Sequence, residues 1–260
     1  MKVFVSGATG NVGRLVVRAV LEAPDLELAG GFCAEGAIDL AQIQGLPPCG
    51  IRGDSDLRRG LEAATADVVV DFTSATIIME NLRLYAERRL DVVIGTTGFD
   101  DAMTAEARRL AAEGNLRWVL VSNYGLGINL VADFLAKVRS HYPYVSIVDR
   151  HPARMANAPS GTAMTLAERG AGDEGAVASR AVLDGVLGAS LAGCRILSQR
   201  LPYPGAYSEH EITLGRDDEL IRITVQDFSS SVYVPGVLLA LRGRDRIAPG
   251  TVVTSLSSFS

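Results

Sequence analysis

Apolar residues in the first half of the chain fall into short unbroken runs, separated by stretches where they recur every three or four positions. The run at residues 2–6 ends in a glycine turn, and Val12, Leu15, Val16, Ala19 and Val20 then share one helical face. Pro24 stops that helix and residues 26–32 read as a second buried strand, which completes a strand-helix-strand unit and implies a parallel sheet. The alternation continues. The pattern predicts strands over 67–72, 91–94 and 118–122, and helices over 75–88 and 101–113.

After Asn123 the character changes. A helix is predicted near 129–141 and a strand near 144–149, followed by a polar stretch rich in alanine and glycine up to about Gly193. Residues 210–214 and 220–225 alternate apolar and polar positions around a Gly-Arg-Asp-Asp turn, as in an antiparallel hairpin whose buried face meets the core or another subunit. Residues 232–241 read as a helix returning to the first domain. The expected fold class is therefore α/β. A Rossmann-type doubly wound parallel sheet, residues 1–122 plus 232–260, binds a dinucleotide, and a second α+β domain, residues 123–231, carries a mixed or antiparallel sheet for substrate binding and oligomerisation.

With 48% of its 260 residues hydrophobic and 21% charged, the chain can bury cores for one large or two modest domains. The net charge of -5 and pI near 5.3 give no reason to expect nucleic acid as a partner, so any anionic ligand needs a local site. Cys33, Cys49 and Cys194 are odd in number and lack CxxC spacing; neither a disulfide framework nor a metal site is expected. No leader or membrane-spanning pattern is visible, and a cytoplasmic location without membrane partners is expected.

The chemistry begins at the first turn. Gly7, Gly10 and Gly13, with Thr9, Asn11 and Val12 between them, link strand to helix so that backbone and helix N-terminus can receive a pyrophosphate. The expected cofactor is NADH or NADPH. An acid for the ribose hydroxyls is due about twenty residues later, where Cys33 stands, followed by Ala34 and Glu35. No Lys or Arg lies between Cys33 and Gln44 to grip a 2′-phosphate, and Arg14 reads equally as a helper or as a solvated first-turn charge.

Three further segments are Val68-Val-Val-Asp-Phe-Thr73, Val93-Ile-Gly-Thr-Thr-Gly-Phe99 and Asp149-Arg-His-Pro-Ala-Arg-Met-Ala-Asn-Ala-Pro-Ser-Gly-Thr-Ala163, with Ser122-Asn-Tyr-Gly-Leu-Gly-Ile-Asn129 between them. In order and spacing they resemble the 4-hydroxy-tetrahydrodipicolinate reductase family, also called dihydrodipicolinate reductase, of bacterial lysine biosynthesis. The resemblance implies that Phe72, Thr73, Gly95, Thr96 and Thr97 line the cofactor cleft, and that Ser122, Asn123 and Tyr124, in the segment joining the domains, also bind the cofactor there. It also implies that Ser160, Gly161 and Thr162 cradle a substrate carboxylate, that His151 protonates the substrate during reduction, and that the protein is a homotetramer. The residue chemistry agrees with these roles, because a Pro-Ser-Gly-Thr turn opening a helix makes a small anion site, although a plain Ser N-cap reads as well.

Several positions depart from the family pattern. Pro152 replaces a second histidine, Met155 a lysine and Asn157 an aspartate, and Ser229 to Ser231 stand where many members carry an arginine. Losing a cation at Met155 leaves an apolar wall, with Arg154 one residue away as a possible substitute. These departures lead to the expectation of a reductase acting on a C=N or conjugated C=C bond of a small cyclic imine or unsaturated carboxylate, less acidic than the usual dicarboxylate and belonging to secondary metabolism. Two alternatives stand beside it: an authentic lysine-pathway reductase, and a non-catalytic dinucleotide-binding sensor. A short-chain dehydrogenase is disfavoured, because no Tyr-x-x-x-Lys pair is present. His210 and Asp71 read as structural residues. Hinges for domain closure are expected near 123–127 and Ser231.

Overall fold

Valine and isoleucine runs that are apolar on both faces must be covered on both faces, and the valine-rich strands near the N-terminus meet that condition inside a parallel sheet. The structure, a computed structural model, describes residues 1–155, 157–175, 179–202 and 205–259. In chain order its elements begin with β1 (Lys2–Ser6), α1 (Gly13–Glu22), β2 (Glu27–Phe32), β3 (Gly53–Asp54), α2 (Leu57–Ala63), β4 (Val68–Asp71), α3 (Ile78–Glu87), β5 (Asp91–Ile94), α4 (Asp101–Gly114) and β6 (Arg117–Leu120). They continue with α5 (Leu126–Val138), β7 (Tyr144–Pro152), α6 (Gly161–Arg169), β8 (Ala189–Leu191), β9 (Cys194–Leu201), β10 (Ser208–Arg216), β11 (Glu219–Asp227), α7 (Val234–Gly243) and β12 (Thr251–Val253). The chain divides into one unit of Met1–Tyr124 with Tyr233–Ser260 and another of Gly125–Val232.

The first unit holds a seven-stranded sheet in the order β12-β6-β5-β4-β1-β2-β3, with every pairing parallel. Val3, Phe4 and Val5 of β1 and Val68, Val69 and Val70 of β4 are fully buried. One layer packs Val16, Val17 and Val20 of α1 with Val237, Ala240 and Leu241 of α7. The other packs Ile78, Leu82 and Tyr85 of α3 with Ala107 and Ala111 of α4. From β1 the chain first winds outward to β2 and β3 and then restarts on the other side at β4. That reversal creates a crevice at the carboxyl ends of β1 and β4, where ligands of such sheets bind.

The second unit holds a mixed sheet, β11-β10-β7-β9-β8, in which only the β7 and β9 pair is parallel among the described strands. Ile147, Ile196, Ile212 and Leu214 pack with Ile128, Val131 and Leu135 of α5 and with Ala163 and Leu166 of α6. Buried Arg139 ties this layer down, donating to the carbonyls of Gly170 at 2.7 Å and Tyr142 at 2.6 Å, so that the C-terminal end of α6 is capped by a cation.

The helix and strand periods place most elements; β3, α2 and β12 lie outside the predicted pattern, and four further features differ. The polar stretch before Gly193 contains β8, and β9 follows it with little apolar alternation; both are exposed enough to escape a hydrophobic pattern. Strand β7 runs on to Pro152 instead of stopping at Asp149, because β9 and β10 hold its polar end. Helix α3 starts at Ile78, not Ala75, since the Ser74 carbonyl accepts from the amides of both Ile77 and Ile78 and makes a turn of the preceding residues. Helix α5 begins at Leu126 and its last turn, Arg139–His141, tightens to a 3-10 helix. No helix among the described residues is long and apolar enough to cross a membrane.

Candidate active site

The loop between β1 and α1 turns on two glycines. Gly7 has φ of +76°, and a Cβ there would lie 2.3 Å from the Phe72 carbonyl oxygen; a Cβ on Gly13 would lie 2.0 Å from the Gly7 oxygen. Side chains at either position would force the loop apart. Gly10 and Asn11 are exposed, and α1 carries neither a side-chain cap nor an acid in its first turn, so the positive helix end is left to an external anion. Chain and chemistry thus fit a dinucleotide pyrophosphate.

The acid that meets that loop is Glu35. Its carboxylate accepts from the Thr9 hydroxyl at 2.6 Å, and this hydrogen bond holds Glu35 below the usual carboxylate range. Cys33, which occupies the expected acid position, is a correction: its side chain is buried in the core, its Sγ lies 3.4 Å from the Gly36 carbonyl, and burial pushes the thiol up. The strand delivers residue 33 inward and the next turn delivers residue 35 outward.

At the end of β4, Asp71 is fully buried and organises the neighbouring loops. Its Oδ1 accepts from the Thr73 amide at 2.9 Å, the Thr73 hydroxyl at 2.7 Å and the Thr96 hydroxyl at 2.8 Å, while Oδ2 accepts from Tyr85 at 2.7 Å and Asn81 at 3.1 Å. Five donors satisfy the charge. The Asp71 main-chain oxygen also accepts from the amides of Gly95 and Thr96, so one residue fixes the loops after both β4 and β5. Phe72 covers Gly95, where a Cβ would meet its ring at 2.0 Å. Thr97 and Ser122 are exposed and Asn123 is half-buried. Tyr124, expected in the cleft, is instead a core residue: it is 1% exposed, its hydroxyl donates to the Ile94 carbonyl at 2.9 Å, and burial drives that hydroxyl far up.

In the second unit the reactive groups gather around Asp149, whose side chain is 0% exposed. His151 Nε2 lies 2.7 Å and His210 Nε2 3.4 Å from Asp149 Oδ1, and the two rings meet edge to face with centroids 5.4 Å apart. The short His151 contact lacks hydrogen-bond alignment and is best described as electrostatic, since Nε2 finds no properly directed partner among the described residues. The Ser160 hydroxyl donates to Oδ1 at 2.7 Å and its amide to Oδ2 at 3.0 Å; the same hydroxyl accepts from the Ala163 amide at 3.1 Å and caps α6. Ser198 and Arg200, both on β9, reach Oδ2 at 3.0 and 3.2 Å. Burial alone would raise the Asp149 carboxyl, but the contacts from His151, His210 and Ser160 outweigh it and hold the group well below the usual carboxylate range.

This geometry revises several expectations. Ser160 is N-cap and Asp149 partner together, with its own donors already taken, which leaves exposed Gly161 and half-buried Thr162 at the open end of α6. Arg154 is exposed in a turn beyond β7, and Met155, partly buried, closes that turn through its amide on the Pro152 carbonyl at 3.0 Å. The stretch is not extended past Pro152. Residue 156 of the motif lies outside the described residues. His210, read as structural, does belong to β10, yet its ring stands within the cluster. Asp149, Ser198 and Arg200 were not singled out by sequence; a carboxylate two residues before His151, on the same strand face, was the available signal for Asp149. Asp149, His151 and His210 also have the chemistry of metal ligands, but the Arg200 guanidinium on the same carboxylate opposes a second cation.

Comparison with known proteins covers the full chain. Residues 1–124 match the family model described as dihydrodipicolinate reductase, N-terminus, and residues 127–256 match dihydrodipicolinate reductase, C-terminus. The 4-hydroxy-tetrahydrodipicolinate reductase of Thermobifida fusca is 35% identical over 251 residues, 93% of this chain and 92% of that protein. The enzyme of the same name from Moorella thermoacetica is 31% identical over 247 residues, again 93% and 92%. Among solved structures, a dipicolinate-bound dihydrodipicolinate reductase from Paenisporosarcina sp. TG-14 shares the fold, with a TM-score of 0.82 at 24% identity over 100% of this chain and 99% of the other.

The Asp149 cluster predicts a pH signature. Its carboxyl is depressed in the folded state, so its stabilising contribution is complete above the unfolded value of ~3.9 and is lost as pH falls toward the folded one. Thermal melts of wild type and Asp149→Asn should differ by a constant amount near neutrality, and the difference should begin to shrink below about pH 4. A melting difference that stays constant from neutrality into acid would contradict the assignment.

Proposed function

The chain belongs to the dihydrodipicolinate reductase family of NAD(P)H-dependent oxidoreductases, and we propose that its substrate is 4-hydroxy-tetrahydrodipicolinate, the compound in the name its relatives carry. The observation that supports this reading best is the placement of His151 beside the N-terminus of α6, both fixed on one Asp149 oxygen at 2.7 Å, His151 through Nε2 and the Ser160 cap through Oγ. A proton donor and an anion site are thereby held together. Bound nicotinamide dinucleotide supplies the hydride.

The residues then divide the work. The 7–13 loop and the start of α1 receive the pyrophosphate; Glu35, steered by Thr9, takes ribose hydroxyls; Phe72, Thr73 and Gly95 to Thr97, fixed by Asp71, flank the nicotinamide end, with Ser122 and Asn123 nearby in sequence after β6. In the second unit, the amides and hydroxyl at Gly161 and Thr162 hold a substrate carboxylate. His151 delivers the proton that, with the transferred hydride, completes addition across the C=N or conjugated C=C bond. The protein acts in the cytoplasm, and the partly exposed β10-β11 hairpin, including Leu220 at 60% exposure, supports assembly of a homotetramer through that sheet.

A second reading is kept because of specific residues: Met155, Pro152 and Asn157 remove polar or basic groups from the segment preceding α6. They favour a less acidic cyclic imine or unsaturated acid. The names of relatives that match 93% of the chain at 31% and 35% identity weigh toward the pathway dicarboxylate instead, so the change of substrate takes second place.

Steady-state assays with the pathway dicarboxylate and a panel of monocarboxylate imines separate the readings. Turnover of the dicarboxylate, falling about 100- to 10,000-fold in His151→Gln, is expected. Reduction of monocarboxylates alone would select the second reading, and dinucleotide binding with no turnover of any compound would indicate a sensor. Glu35 makes a separate prediction, since a carboxylate at the ribose end repels a 2′-phosphate: NADH should be preferred over NADPH by about tenfold or more, roughly 1.4 kcal/mol or more, and Glu35→Gln should narrow the ratio. Equal use of both cofactors by the wild type would remove Glu35 from this role.

A further inference from the structure

Arg200 stands opposite His151 in the parallel register of β7 and β9, so both side chains project from the same face of the mixed sheet. Its guanidinium reaches acceptors on three residues. One terminal nitrogen lies 3.3 Å from Asp149 Oδ2 and 2.9 Å from the Gln199 carbonyl; the other lies 3.2 Å from Asp149 Oδ2 and donates to the carbonyl of Asn157. Arg200 therefore bridges a strand, the buried carboxylate and the segment that leads into α6. No other described cation pairs with Asp149 apart from the two histidines when protonated.

Two further observations separate this group from an ordinary surface ion pair. Its side chain is only 18% exposed, and its Nε is buried without an acceptor among the described residues, which a well-satisfied packing clasp would avoid. The segment it holds also contains Met155, where a cation is absent. Arg150, the neighbouring basic residue of β7, cannot substitute, because it pairs with Glu209 and Glu211 through the opposite face of the strand.

We propose that Arg200 is a positioning residue of this reductase: by clasping Asp149 and the Asn157 carbonyl together it holds the α6 N-terminus against His151 and provides the local positive charge that Met155 does not. The proposal rests on the reductase reading above. Losing Arg200 leaves Asp149 anchored by Ser160 and Ser198 but frees the 153–159 segment. Lysine can restore the charge at Asp149 but cannot span both acceptors with one planar fork.

The test compares wild type with Arg200→Met, Arg200→Lys and Arg200→Ala, using hydrogen exchange of peptides over 153–163 and steady-state kinetics with whichever imine or unsaturated acid the wild type reduces. Arg200→Met should exchange faster over 153–163 and not in the first unit, and lose about tenfold to 100-fold in kcat with a smaller change in KM. Arg200→Lys should recover part of that loss, and guanidinium ion added at non-denaturing concentration should partly rescue Arg200→Ala. Wild-type exchange in Arg200→Met, or faster exchange with unchanged kcat, overturns the proposal. A wild type that reduces nothing sinks the reductase reading itself, and exchange over 153–163 then decides whether Arg200 holds the segment. If Arg200→Met does not fold, the Arg200→Lys comparison carries the same contrast.

Discussion

A carboxylate with no exposed surface must find its solvation inside the protein, and Asp149 imposes that requirement on the whole second unit. Its two oxygens collect the α6 N-terminus through Ser160, the parallel strand β9 through Ser198 and Arg200, and the rings of His151 and His210. Remove the charge and these four elements lose their common point. Asp71 plays the matching part in the first unit, where five donors around one buried carboxylate set the loops that follow β4 and β5. In each unit the polar residues at the end of a strand are held rigid by a buried charge, so their geometry exists before any ligand arrives.

That preorganisation connects the fold to reduction. The donor role proposed for His151 calls for a ring that does not wander, and that ring lies against Asp149 and His210. The first turn of α6 carries exposed Gly161 and half-buried Thr162, where the proposed carboxylate site lies. Ser160 cannot serve both purposes, because its hydroxyl already donates to Asp149. Arg200 keeps a cation on the Asp149 carboxylate, next to the segment that carries Met155.

Legibility in the sequence followed distance along the chain. The doubly wound sheet was readable because each valine run and each helical stripe is local, and the Gly7 to Gly13 turn sits between β1 and α1 where that pattern put it. The Asp149 cluster was not readable as a cluster: Arg200 and His210 reach it from β9 and β10, some fifty to sixty residues away, through register that no local period encodes. Strand β9 itself was missed, since its exposed polar positions resemble a loop. Cys33 and Tyr124 failed for a different reason. Motif spacing fixes which residue occupies a position but not which way its side chain points, and both turn into the core.

A reductase of this family transfers hydride to its substrate and does not merely bind dinucleotide and acid. Mass spectrometry of the product formed from NADH carrying deuterium at the transferred position tests it most directly. One deuterium on the reduced carbon, with none appearing in solvent water, is the predicted result. Bound NADH that stays unoxidised, or a product without deuterium, would contradict the account.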